Sequence, residues 1–214
     1  NTGSINGSTV EIEQGFANEG DISGTINISN SGNLVNNGSI SGDVTNGGVF
    51  TSSLDKISGN IANNGTFKAT GGTLNTLING TGTTEITGNV NINGGSFGTT
   101  QSVSVLENSS LNIGSQVIEI NNFTLKGTLD IAVTNLVKNS SVYEGGQVLV
   151  NNADLSGGKL SFTIAQGLLN KGEKTGDLSV ISLTNGATGS ISGDVSSIFE
   201  NNNRYEIQQG SSLG

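Results

Sequence analysis

The reading turns on one motif that returns three times: Ile22-Ser-Gly-Thr-Ile26, Ile40-Ser-Gly-Asp-Val44 and Ile57-Ser-Gly-Asn-Ile61. A second motif keeps the same rhythm: Asn30-Ser-Gly-Asn-Leu34, Asn46-Gly-Gly-Val-Phe50 and Asn63-Asn-Gly-Thr-Phe67. Working outward, the apolar residues fall into three columns. Ile5, Ile22, Ile40, Ile57, Leu74 and Ile92 are spaced by 17, 18, 17, 17 and 18 residues. Val10, Ile26, Val44, Ile61 and Ile78 are spaced by 16, 18, 17 and 17. Phe16, Leu34, Phe50, Phe67 and Ile86 are spaced by 18, 16, 17 and 19.

One period shared by three columns is the signature of a stacked repeat. Within a repeat the apolar residues alternate with polar ones and are broken by Asn-Gly turns, which is strand patterning. No stretch reads as an amphipathic helix of useful length, although Leu168-Leu169-Asn170 reads as a short helical turn. A single coil cannot bury its own apolar face. Coils stacked about 4.8 Å apart put Ile on Ile and Phe on Phe, so the core grows along an axis. The expected fold is all-β: a parallel β-helix (β-solenoid) of ~17-residue coils with a C-terminal cap. Column gaps of 4 to 8 residues depart from the regular hexapeptide of left-handed β-helices. Parallel crossovers are overwhelmingly right-handed, so a right-handed coil is expected. The Ile86-Thr-Gly-Asn-Val90 stretch fits the first column by motif and the third by spacing. Spacing assigns Ile86 to the third column, because Leu74 and Ile92 then fall in line.

The composition suits this fold. The chain has 214 residues, of which 34 are Gly, 30 Asn, 28 Ser and 22 Thr, together over half. Gly and Asn tolerate the positive φ of sharp corners, and Asn side chains can stack into hydrogen-bonded ladders. Pro is absent and Glu and Lys are scarce, which opposes a disordered linker.

The same composition excludes much chemistry. Cys, His, Met and Trp are absent. Ser-His-Asp and Cys-His sites and Cys/His zinc centres therefore cannot be built within these residues. A net charge of −9 argues against binding nucleic acid or an anionic membrane surface. No apolar run reaches the ~20 residues that span a bilayer. A start at Asn1 with no Met anywhere reads as a mature piece of a longer protein.

The texture shifts after Phe123, dividing the chain into Asn/Gly-rich repeats over residues 1–125 and larger coils leading to a cap over residues 126–214. Strands there are more apolar, as in Gly127-Thr-Leu-Asp-Ile-Ala-Val133 and Lys159-Leu-Ser-Phe-Thr-Ile164. Six of the eight basic residues lie between Lys126 and Arg204. A solenoid end exposes an unpaired edge and an open core, so a terminal cap is expected.

This C-terminal part resembles the junction region of an autotransporter passenger, the secreted portion of type V secretion proteins in Gram-negative bacteria. The matching stretches are Asn152-Ala-Asp-Leu-Ser-Gly-Gly-Lys-Leu160, Gly176-Asp-Leu-Ser-Val-Ile-Ser-Leu183, Gly189-Ser-Ile-Ser-Gly193 and Asn203-Arg-Tyr-Glu-Ile207. Leu178 departs from the pattern, since many members carry an aromatic residue there. The N-terminal repeats resemble the stalks of large surface adhesins of the same class. The resemblance implies an autochaperone-like cap that seeds folding as the passenger emerges through its own outer-membrane β-barrel. It implies a non-enzymatic virulence or adhesion protein at the cell surface, attached to the outer membrane. Its partner would be a host-cell or bacterial surface receptor, protein or glycan, bound through the longer passenger by a monomer. It implies no cofactor and no metal, and points to no binding residue here.

Two other readings use the same fold. Some β-helices degrade polysaccharides with clustered acids and Ca²⁺. Here the acids are dispersed, and only Asp21 and Asp43, about one coil apart, could share a face. Glu11 and Glu13 flank Ile12 and should point outward. A phage tail-fibre segment would be an obligate trimer. Thr81, Thr83, Thr84, Thr99 and Thr100 hint at a Thr face but do not recur coil by coil. Lys171-Gly-Glu-Lys174 reads as an exposed loop and Tyr205 as packing for a terminal strand.

Overall fold

A computed structural model describes residues 1–136, 143–170, 178–200 and 207. The expected loop Lys171-Gly-Glu-Lys174 and the terminal-strand Tyr205 lie outside them. Among the described residues there is no α-helix, only strands and one 3₁₀ turn at Leu54–Lys56. Leu168-Leu169-Asn170 forms no helical turn. It follows a reverse turn in which Gly167 takes φ +82°, which ends the strand Lys159–Ile164 without starting a helix.

Strands wind into three sheets that are parallel throughout, apart from one antiparallel excursion. The registers reproduce the sequence columns. Ile5 pairs with Ile22, Ile22 with Ile40 and Ile40 with Ile57. Val10, Ile26, Val44, Ile61 and Ile78 are successive partners, and Phe97 continues the stack. Phe16, Leu34, Phe50 and Phe67 are successive partners as well. The rings of Phe50 and Phe67 lie 5.0 Å apart at 26°, a stacked pair inside the core.

The third column departs at its end. Phe67 pairs with Thr84, and Ile86 pairs with Ala69. Each strand of this sheet turns two side chains inward, two residues apart. Ile86 therefore belongs to the second inward row: Asn18, Asn36, Ser52, Ala69, Ile86, Val105 and Leu125.

Corners are built from stacked glycines. In the Ile-Ser-Gly-x-Ile motif, a Cβ on Gly59 would fall on the carbonyl oxygen of Gly42, and one on Gly42 would fall on that of Gly24. Backbones pass too closely there for any side chain, which is why the motif keeps its glycine.

Coil size grows along the chain. Partners are 17 residues apart where Val49 pairs with Thr66. They are 30 apart where Val117 pairs with Gln147, and 38 apart where Lys159 pairs with Ser197. The strand Tyr143–Gly145 runs antiparallel to the end of Thr128–Leu136. Two of the sheets run unbroken past residue 125, with Val105 on Leu125, then Leu129 on Leu160 and Leu160 on Ile198.

Candidate functional site

Polar side chains sit in two places: sealed inside the solenoid, and on its outer faces between coils. Inside, Asn1 donates from Nδ2 to Asn18 Oδ1 at 2.7 Å. Asn18 donates likewise to Asn36 at 2.7 Å, and Asn36 to the Ser52 hydroxyl at 3.0 Å. Asn18, Asn36 and Ser52 are buried. At another corner Asn46 donates to Asn63 Oδ1 at 2.7 Å, and Asn63 to Gln101 Oε1 at 3.2 Å. Each amide also satisfies a backbone carbonyl, as Asn46 does with Thr66 and Asn63 with Thr83, both at 3.0 Å. Buried amides are costly unless paired, and these are paired from coil to coil.

Gln101 went unnoticed in the sequence, where it belongs to no motif. Gly80 occupies the rung above Asn63, since Asn79 pairs with Ala62, and it offers no side chain. Gln101 reaches across that empty rung. Its Nε2 donates to the carbonyls of Asn63 (2.8 Å) and Asn79 (2.9 Å), while Oε1 also accepts from the Thr84 hydroxyl at 3.1 Å. Its partners lie 17, 22 and 38 residues away, so no single spacing in the sequence marks it.

Outside, several acids bind neighbouring coils rather than one another. Glu11 accepts from Asn27 Nδ2 and Glu19 from Asn37 Nδ2, both at 2.7 Å. Asp21 accepts from the Ser39 hydroxyl. Asp43 accepts from the Asn60 backbone N–H at 2.8 Å, and Asp55 from that of Thr73 at 2.9 Å. Glu85 lies 3.9 Å from Lys68, its direct strand partner.

Asp21 and Asp43 are not brought together. Asp21 stands level with Ser39, whereas Asp43 precedes Val44, the partner of Ile26. Asp43 is thus four positions further along the strand, about 13 Å of extended chain. Glu11 is exposed in its strand and Glu13 lies just beyond it, beside a shallow, open depression of about 620 Å³ lined also by Gln14, Gly15, Ser29 and Ser31. The threonines form no array: Thr84 is buried, while Thr81 and Thr100 occupy exposed turns. Among the described residues no three acidic side chains converge to hold a metal ion.

One ion pair joins the longer coils. Lys126 Nζ lies 3.1 Å from Asp154 Oδ2 and 3.0 Å from the Ser156 carbonyl. Hydrogen bonds from the Ser156 hydroxyl and backbone N–H, aided by Lys126, hold the Asp154 carboxyl down at about 2.

Much of the polar chemistry of these faces is thus used between coils. No protein-family model, curated protein or solved structure matches the chain.

Proposed function

We propose that this chain is a non-enzymatic shaft: the stalk and autochaperone-like cap of an autotransporter adhesin on a Gram-negative cell surface. Its work is mechanical. It holds a distal binding region away from the outer membrane and seeds passenger folding from its C-terminal coils. The observation that carries the reading is that many polar side chains link coil to coil, with amides such as Asn18 and Asn46 paired inside and acids such as Glu19 and Asp43 paired outside. Nearest-neighbour links of this kind let one formed coil template the next. The last described coil supports the seeding role, because Ile181 lies over Val148 and Ile198 over Leu160, extending the core row by row.

The test is expression of the full-length gene product in a Gram-negative host, with and without residues 176–214, followed by protease treatment of intact cells. The proposal expects the chain to be reachable from outside and cut slowly, and the truncated form to be rapidly degraded. A chain that stays protected inside intact cells overturns the surface role. An equally resistant truncation overturns the seeding role.

A further inference from the structure

Seven Asn-Gly pairs occur in the chain, beginning at Asn6, Asn37, Asn46, Asn64, Asn79, Asn93 and Asn185. Such a pair is chemically labile. The glycine backbone nitrogen attacks the asparagine Cγ, forming an N–Cγ bond as the Cγ–Nδ2 bond breaks. The N–H proton is lost to solvent and the side-chain nitrogen leaves as ammonia. Water then opens the cyclic imide at either carbonyl, giving aspartate or isoaspartate. The reaction needs a mobile glycine nitrogen and an asparagine side chain free to turn towards it.

Three pairs are held at both groups. Gly38, Gly47 and Gly65 donate their backbone N–H to the carbonyls of Asn18, Ile28 and Asn46 at 3.0, 2.7 and 3.0 Å. Their asparagines are held too. Asn37 donates to Glu19, buried Asn46 to Asn63, and Asn64 Oδ1 accepts from the Thr81 N–H. Asn6 lies within the strand Ser4–Ile12 and accepts from the Ser23 hydroxyl at 2.6 Å. At Asn79-Gly80 it is the two carbonyls that are bonded, to Gln101 (2.9 Å) and the Thr100 hydroxyl (2.6 Å), but the corner is closely packed: a Cβ on Gly80 would fall on the Asn63 carbonyl oxygen.

The other two pairs are different. Asn93 and Asn185 are exposed, and neither side chain has a hydrogen-bond partner among the described residues. Gly94 and Gly186 adopt φ of +78° and +83°, with open space on the side where a Cβ would stand. We propose that Asn93-Gly94 and Asn185-Gly186 are the sites of fastest spontaneous deamidation in this chain, and that inter-coil bonding shields Asn37, Asn46 and Asn64. At Asn93 the product reaches into the fold. The N–H groups of Asn93 and Gly95 both donate to the Leu74 carbonyl, at 3.0 and 3.1 Å. Isoaspartate inserts one more main-chain carbon between those two anchors, so the corner loosens as the protein ages.

The test is incubation of the native protein in mildly alkaline buffer beside a sample in urea. Peptide mapping by mass spectrometry then resolves Asn, Asp and isoaspartate at each pair. A shielded pair reacts only through local opening, so Asn93 and Asn185 should convert at least about tenfold faster than Asn37, Asn46 and Asn64 in the native protein. In urea the rates should converge. Conversion of Asn46 or Asn64 as fast as Asn93 in the native state overturns the proposal. So does a native rate at Asn93 and Asn185 no higher than at the shielded pairs.

Discussion

Asn46 donates from Nδ2 to Asn63 Oδ1 at 2.7 Å, one coil away, in a place neither side chain shares with water. The pair explains why an Asn-rich chain can be a stable solenoid. Each amide is neutral and bidirectional, so one residue accepts from the coil before and donates to the coil after. Asn63→Ala removes both links. Each buried group left unpaired costs about 1–3 kcal/mol, so urea unfolding should show a loss of at least that size, and Asn37→Ala at the surface far less.

The Asn46 ladder has an open end. Asn46 Oδ1 is buried and has no partner, because Ile28 stands on the preceding rung. An amide there would donate in the same direction as the others. Ile28→Asn should therefore keep about 1–3 kcal/mol more stability than Ile26→Asn, although both sites are fully buried. Equal losses in denaturant melts would show that the orphan carbonyl is not receptive.

Glycine corners offer a steric test. A Cβ at Gly42 meets the backbone of Gly24, whereas one at Gly15 meets nothing. Gly42→Ala should cost about 1–3 kcal/mol, as forced overpacking does. Gly15→Ala should stay within about 0.5 kcal/mol of the parent by the same melt.

Acid should act on the longer coils through Asp154. Its folded pKa is depressed from 3.8 to about 2, so its contribution is present above the unfolded value and is lost as pH falls between the two. Thermal melts over that window should show a smaller pH dependence for Asp154→Asn than for the parent chain.

The columns were legible because stacking demands the same residue type at the same step, as Val10, Ile26, Val44, Ile61 and Ile78 show. Legibility failed at Ile86 for a physical reason. That sheet buries two rows, and Thr84 takes the place of an apolar residue above Phe67 by giving its hydroxyl to Gln101. Apolarity alone could not reveal a Thr in the core. Gln101 was hidden because it skips the Gly80 rung, which breaks the period on which the reading depends. The dispersion of the acids was legible. That they serve as links between coils was not, because their partners Asn27, Asn37 and Asn60 are one coil away in space and look like any other Asn in the chain.

Residues one coil apart lie directly over one another. The chain has no native cysteine, so introduced pairs report on geometry alone. Val35 and Thr51 are direct partners on an outer face, and Lys68 is the next rung beyond Thr51. Parallel neighbours sit about 4.8 Å apart, within disulfide reach, and two rungs about 9.6 Å apart, beyond it. Mild oxidation should cross-link Val35→Cys/Thr51→Cys completely and leave Val35→Cys/Lys68→Cys reduced. Equal cross-linking of the two pairs, or none in either, would contradict the solenoid and the shaft built on it.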